Sequence, residues 1–226
     1  MNALIRTARP KQWTKNVLVF AAPGAAGVLD EPRQLGLTCL AFVAMCLASS
    51  GTYYWNDALD IESDREHPTK RFRPIASGFV LRAAAGAVAV DVPMSSWFVL
   101  CITFGALFIV TGKRFAESRE LGADAHKLRA TLGDYSEGYL RFVLALACGG
   151  ALVSYCMWAF ERRDIVNATN HFYELTIVPV LTAFLRYALI LEQGRGAAPE
   201  EVFASDRVLQ ILGALWVIVF GLAVYT

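Results

Sequence analysis

The residues with the clearest chemical potential lie between Asn56 and Pro74, in the stretch NDALDIESDREHPTKRFRP. Asp57, Asp60 and Asp64 are spaced i, i+3, i+7, which lines three carboxylates along one face of a helix, and Asn56 stands one turn before Asp60. Like charges stacked in this way repel, so the arrangement calls for a cation. Hard oxygen donors on so short a face suit Mg²⁺, which takes a few carboxylates and fills its other positions with water and substrate phosphates. Lys70, Arg71 and Arg73 follow within about two helical turns and could hold those phosphates. The plainer reading of the same residues is a solvated helix end whose basic side chains only mark membrane topology. The glycine and closing glutamate of an EF-hand are absent, and no GxxxxGK loop points to an ATPase.

The elements that must position these residues are greasy. Of 226 residues, 56% are hydrophobic and 18% charged, and the mean hydropathy is +0.43. Soluble domains carry about a quarter charged residues. The net charge of +1 offers no electrostatic footprint for nucleic acid. Cys39, Cys46, Cys101, Cys148 and Cys156 all fall inside apolar runs without metal-ligand spacing, so they read as packing residues. Apolar segments long enough to span a bilayer are expected at Gln34–Trp55, Met94–Thr111, Tyr135–Phe160, Phe172–Leu191 and Arg207–Tyr225. Two shorter ones are Val17–Leu29, broken by Pro23, and Ile75–Val90, which carries Arg82. The runs are continuous rather than alternating, which argues against a barrel. The N-terminal residues lack the cleavage pattern of a signal peptide. The expectation is an all-α polytopic membrane helix bundle of about seven transmembrane segments.

Orientation follows from the basic residues. With the N-terminus cytoplasmic and all seven segments crossing, fifteen lysines and arginines fall inside, against Arg33, Arg162 and Arg163 outside. The Asn56–Pro74 stretch then faces the cytoplasm. Arg82, Arg141 and Arg186 lie in or near apolar segments, where each needs a partner or an aqueous cavity. For Arg141 the obvious partner is Glu137, one turn earlier.

NDALDIESD resembles the N-D-x-x-D-x-x-x-D signature of the UbiA-type intramembrane prenyltransferase superfamily. The stretches RPKQWTKNVLVFAAP, REHPTKRFRPIASG, FVLRAAAGAVA, SSWFVLCITFGALFIVTGKRFAE, YLRFV and DRVLQIL are similar to one branch of it, the decaprenyl-phosphate phosphoribosyltransferases. The resemblance runs in order along nearly the whole chain. It implies a donor, phosphoribosyl pyrophosphate, an acceptor, a polyprenyl phosphate, and a lipid-linked phosphoribose product for bacterial arabinan synthesis. On that basis Asn56, Asp57, Asp60 and Asp64 hold Mg²⁺ and the donor pyrophosphate, with the three aspartates as the catalytic set. Lys15, Lys70, Arg71, Arg73, Lys113, Arg114 and Arg141 are the substrate-binding candidates. The acceptor phosphate is already ionised, so no general base is needed. The location implied is a bacterial plasma membrane, with the N-terminus and the active-site loops cytoplasmic.

The chain departs from the family pattern in two ways. Superfamily members often carry a second acidic motif in the next cytoplasmic loop, where this chain has Glu117, Asp134 and Glu137 without a regular Asp-x-x-x-Asp. Members also usually have nine transmembrane helices. Here RPIASG runs straight into FVLRAAAGAVA, as though an internal segment were missing near residues 78–79 of a single 1–226 domain. A shortened bundle leaves three readings: a transferase completed by compression or homo-oligomerisation, a prenyltransferase acting on another acceptor, or an inactive homologue. The topology is checked by a Ser63→Cys probe in a cysteine-free background. Labelling by an impermeant thiol reagent is expected only after the cytoplasmic side is opened, and labelling of intact cells would overturn the orientation.

Overall fold

In hydrocarbon a backbone can satisfy its own polar groups only as helix or closed barrel. Every regular element among the described residues is helical. The structure, a computed structural model, describes residues 10–63, 75–121, 136–166, 168–196 and 198–226. Two compact units divide the chain, Met1–Met94 and Ser95–Thr226.

In the first unit a 3₁₀ helix, Pro10–Phe20, continues into α1, Ala21–Ala26. Gly27 ends α1 in the left-handed region (φ 73°), and the Gly27 and Val28 N–H groups return to the carbonyls of Gly24 and Pro23. Glycine suits this position because a Cβ there would strain the backbone. Next come α2, Pro32–Ser63, and α3, Ile75–Ala89. The small face of α3 is buried at Ala83 and Ala87, Val90 just beyond its end is buried too, and Val19 of the 3₁₀ helix is fully buried. At Gly86 the two backbones nearly touch: a Cβ there would lie 1.8 Å from the Val19 carbonyl oxygen. Small residues permit such close approach where no hydrophobic force drives helices together.

The second unit begins with α4, Ser96–Leu121, which packs along α5, Glu137–Ile165. Ser136 caps α5 by accepting the Tyr139 N–H at 3.1 Å. The short α6, Phe172–Leu175, leads into α7, Ile177–Glu192, then α8, Pro199–Ser205, and α9, Arg207–Tyr225. Phe108, Phe115, Leu140, Leu144, Tyr187, Ile190 and Leu191 form the core among α4, α5 and α7. Nearer the C-terminal end of α5, Trp216 Nε1 donates to Tyr155 Oη at 2.6 Å, and that hydroxyl donates to Thr176 Oγ1 at 2.7 Å. A buried hydroxyl and an indole N–H are thereby both satisfied.

Five stretches are long and apolar enough to cross a membrane: Pro32–Gly51, Ser96–Arg119, Glu137–Ile165, Phe172–Glu192 and Arg207–Tyr225. They match the five long segments expected, and the chain is a multi-pass membrane protein. The outward faces agree, since Leu40, Leu47 and Ile211 are each about two-thirds exposed (66%, 67% and 67%). The two shorter expectations form helices of another kind. Val17–Leu29 divides into the end of the 3₁₀ helix, α1 and a turn, because the left-handed Gly27 stops the helix. Ile75–Val90 forms one apolar helix, α3, of 15 residues. At 1.5 Å per residue that is about 23 Å, short of the ~30 Å hydrocarbon thickness.

Gly86→Val is expected to cost about 1–3 kcal/mol through overpacking against Val19. Gly36→Ala, where a Cβ would meet nothing within 4 Å, should be neutral or slightly stabilising. Thermal unfolding in detergent checks both, and equal effects at the two positions would refute the close contact.

Candidate functional site

The acidic motif stands on an extension of a membrane-spanning helix. Helix α2 remains helical for 12 residues beyond Gly51, where its apolar stretch ends, and the backbones of Asn56, Asp57 and Asp60 lie in that extension. The helical register therefore keeps the i, i+3 and i, i+4 spacings on which the expectation of a metal site rests. The donors are amide and carboxylate oxygens, all hard, so the set suits Mg²⁺ rather than a soft metal. Asp64, Lys70, Arg71 and Arg73 lie outside the described residues, as does Asp134. No group of three or more histidine, cysteine, aspartate or glutamate side chains converges among the described residues; the side chains of residues 52–63 are not among those described.

Lys15 sits exposed on the 3₁₀ helix. That helix is fastened to α2 by Trp13, whose indole N–H donates to Ser50 Oγ at 3.0 Å, six residues before Asn56. Asn16, the next residue, is wholly buried. Its Nδ2 donates to Cys46 Sγ at 3.3 Å, and its Oδ1 accepts from Arg82 Nε at 2.7 Å. Arg82 Nη1 also donates to the Gly78 carbonyl at 2.7 Å. The partner demanded by an arginine inside an apolar helix is thus an asparagine and a backbone oxygen.

In the second unit one end gathers the remaining candidates. Lys113 and Arg114 lie on α4 and reach Glu117 at 3.9 and 3.1 Å, so this glutamate neutralises cations of its own helix. Arg141 pairs with Glu137 at 2.9 Å, as its spacing suggests, and also with Glu192 of α7 at 3.4 Å. Arg119 meets the same Glu192 at 2.9 Å and donates to its backbone carbonyl at 2.7 Å. Both guanidinium groups lie within cation–π distance of Phe115, at 5.7 Å for Arg119 and 5.6 Å for Arg141. Glu192 therefore ties α4, α5 and α7 together. No sequence signal marks the Arg119–Glu192 pair, because 73 residues separate its members. Lys113, Arg114 and Arg141 remain about half exposed at their side chains (48%, 42% and 51%), so an anionic ligand can still approach them.

Arg186, the third arginine of the apolar segments, binds Asp206 through Nη2 at 2.6 Å and Nε at 3.2 Å. Asp206 also caps α9 by accepting the Leu209 N–H at 3.0 Å. The Arg186 guanidinium, followed by that N–H, holds the Asp206 carboxyl below its ordinary range.

A family model described as the UbiA prenyltransferase family matches residues 17–113. The decaprenyl-phosphate phosphoribosyltransferase of Corynebacterium glutamicum is 36% identical, with 99% of this chain and 87% of that protein covered. The protein of the same name from Mycolicibacterium smegmatis is 36% identical, with 100% and 93% covered. That from Mycobacterium tuberculosis is 34% identical, with 98% and 94% covered. The first of these matches extends over 289 aligned positions, more than the 226 residues of the chain, so at least 63 positions of that relative have no counterpart here.

A carboxyl held low in the folded state stabilises the fold fully above its unfolded pKa of about 3.9, and that stability is lost as pH falls through the lower folded value. Asp206→Asn is expected to lower the unfolding temperature at neutral pH and to flatten the decline below about pH 4. An acid limb identical to that of the parent chain would refute the pairing.

Proposed function

The chain belongs to the UbiA prenyltransferase family, and from that membership we propose that it transfers 5-phosphoribose from phosphoribosyl pyrophosphate to a polyprenyl phosphate, releasing pyrophosphate. The observation that carries this reading is the similarity to decaprenyl-phosphate phosphoribosyltransferases along nearly the full chain, with the acidic motif intact at Asn56, Asp57, Asp60 and Asp64. In this reading those four residues hold Mg²⁺ and the donor's pyrophosphate. The ion supplies charge neutralisation for the departing pyrophosphate. Lys15, Lys70, Arg71 and Arg73 bind phosphate oxygens, with Lys113 and Arg114 as further cations. Arg141, whose Nη2 is shared by two glutamates, joins them through its half-exposed side chain. The acceptor oxygen is an ionised phosphate and attacks C1 of the ribose without a protein base. A bacterial plasma membrane agrees with the bacterial relatives, and a cytoplasmic N-terminus and motif follow from the positive-inside tally when the two shorter segments also cross.

A second reading, an inactive homologue, is favoured by the 289 aligned positions facing only 226 residues. An internal segment absent near residues 78–79 would remove wall helices from a pocket that must exclude water. Transfer of radiolabelled phosphoribosyl pyrophosphate into organic-extractable polyprenyl phosphate decides between them. Label is expected with Mg²⁺, and Asp60→Ala should abolish it while leaving membrane insertion unchanged. No label from inserted parent chain would establish the inactive reading; label undiminished in Asp60→Ala would refute the metal assignment.

A further inference from the structure

Arg82 lies at the middle of α3, an apolar helix, where an unpaired charge is costly. Arg141 and Arg186 meet carboxylates, whereas Arg82 has no carboxylate partner among the described residues. Among the described residues its surroundings supply dipoles only: the Asn16 carboxamide oxygen and the Gly78 carbonyl, each at 2.7 Å. Asn16 is itself wholly buried and held from behind by Cys46, so its oxygen is a fixed acceptor. These contacts occupy Nε and one N–H of Nη1, and Nη2 has no protein partner among the described residues. The guanidinium is thus oriented without being neutralised. An aspartate at position 16 would have cancelled the charge; an asparagine preserves it.

We propose that Arg82 binds a phosphate oxyanion through its Nη2 edge, with Asn16 as the positioning residue that sets the plane of the guanidinium. The planar fork of donors matches two phosphate oxygens. Resting on the function proposed above, the phosphate belongs either to the polyprenyl phosphate acceptor or to the phosphoribosyl pyrophosphate donor. Arg82 differs from the expected phosphate-binding cations in lying within the apolar helix rather than in the charged stretches.

The test measures equilibrium binding to the full chain in lipid nanodiscs, with farnesyl phosphate and phosphoribosyl pyrophosphate as separate probes and farnesol as the uncharged control. Asn16→Asp is the informative variant: it places a carboxylate against Arg82 and should keep or raise the unfolding temperature. Weakening of one probe by about tenfold or more is expected in Asn16→Asp and in Arg82→Gln, with farnesol unaffected. The probe that weakens identifies the source of the phosphate. A purely structural Arg82 predicts unchanged affinity for both probes in folded Asn16→Asp protein, and that result would overturn the proposal, as would a parent chain that binds neither probe. The transfer assay separates the two readings. Arg82-dependent binding without turnover would sink the transferase function alone, and turnover with both KM values intact in the variants would sink this site alone.

Discussion

A charge on or beside an apolar helix needs a partner, and each unit supplies one in its own way. In the first unit the 3₁₀ helix presents Asn16 to Arg82, which also draws on the carbonyl of Gly78 in its own helix. The same helix presses Val19 against Gly86, and Trp13 against Ser50 of α2. The contact that solvates the arginine and the contact that lets the backbones approach are therefore made by one short stretch, residues 13–19. In the second unit carboxylates do this work: Asp206 for Arg186, Glu137 and Glu192 for Arg141, and Glu192 again for Arg119. The contrast is chemical. The second unit neutralises Arg119, Arg141 and Arg186, while in the first Asn16 and Gly78 orient the half-buried Arg82.

The acidic motif is placed by continuity of helix rather than by a loop. Because α2 runs unbroken from Pro32 to Ser63, the membrane span and the backbones of Asn56, Asp57 and Asp60 belong to one rigid rod. A motif borne on such a rod keeps its internal spacing whatever happens to the connections around it. This explains how a chain shorter than its relatives can keep the spacing of the acidic motif. The enzyme chemistry proposed for the motif asks little else of the protein locally, since an acceptor phosphate would arrive already ionised.

The glutamate at position 192 shows how one residue can organise an end of a bundle. It accepts from Arg119 of α4 and Arg141 of α5, and Phe115 lies within cation–π reach of both guanidinium groups. Individually such half-exposed pairs contribute little, about 0–1 kcal/mol each. Jointly they set where three helix ends meet, and with them the disposition of Lys113 and Arg114 on α4. An anion approaching that end encounters cations already partnered by carboxylates but still about half exposed.

Much of this was legible in the residues themselves. The five long spans follow from uninterrupted apolar runs, since hydrocarbon thickness and helical rise translate directly into residue count. The Arg141–Glu137 pair was legible for a similar reason: helical periodicity turns sequence spacing into spatial neighbourhood. Helix packing alone decided the rest. Nothing near Asn16 announces that it would meet Arg82, 66 residues away, or that Arg119 would find Glu192 across 73. Nor does local sequence say that Pro10–Phe20 would wind as a 3₁₀ helix or that Gly86 would seat against Val19. Local rules fix which residues share a face of one helix, but the partner of a buried charge depends on which helices lie side by side, and that is a property of the assembled bundle.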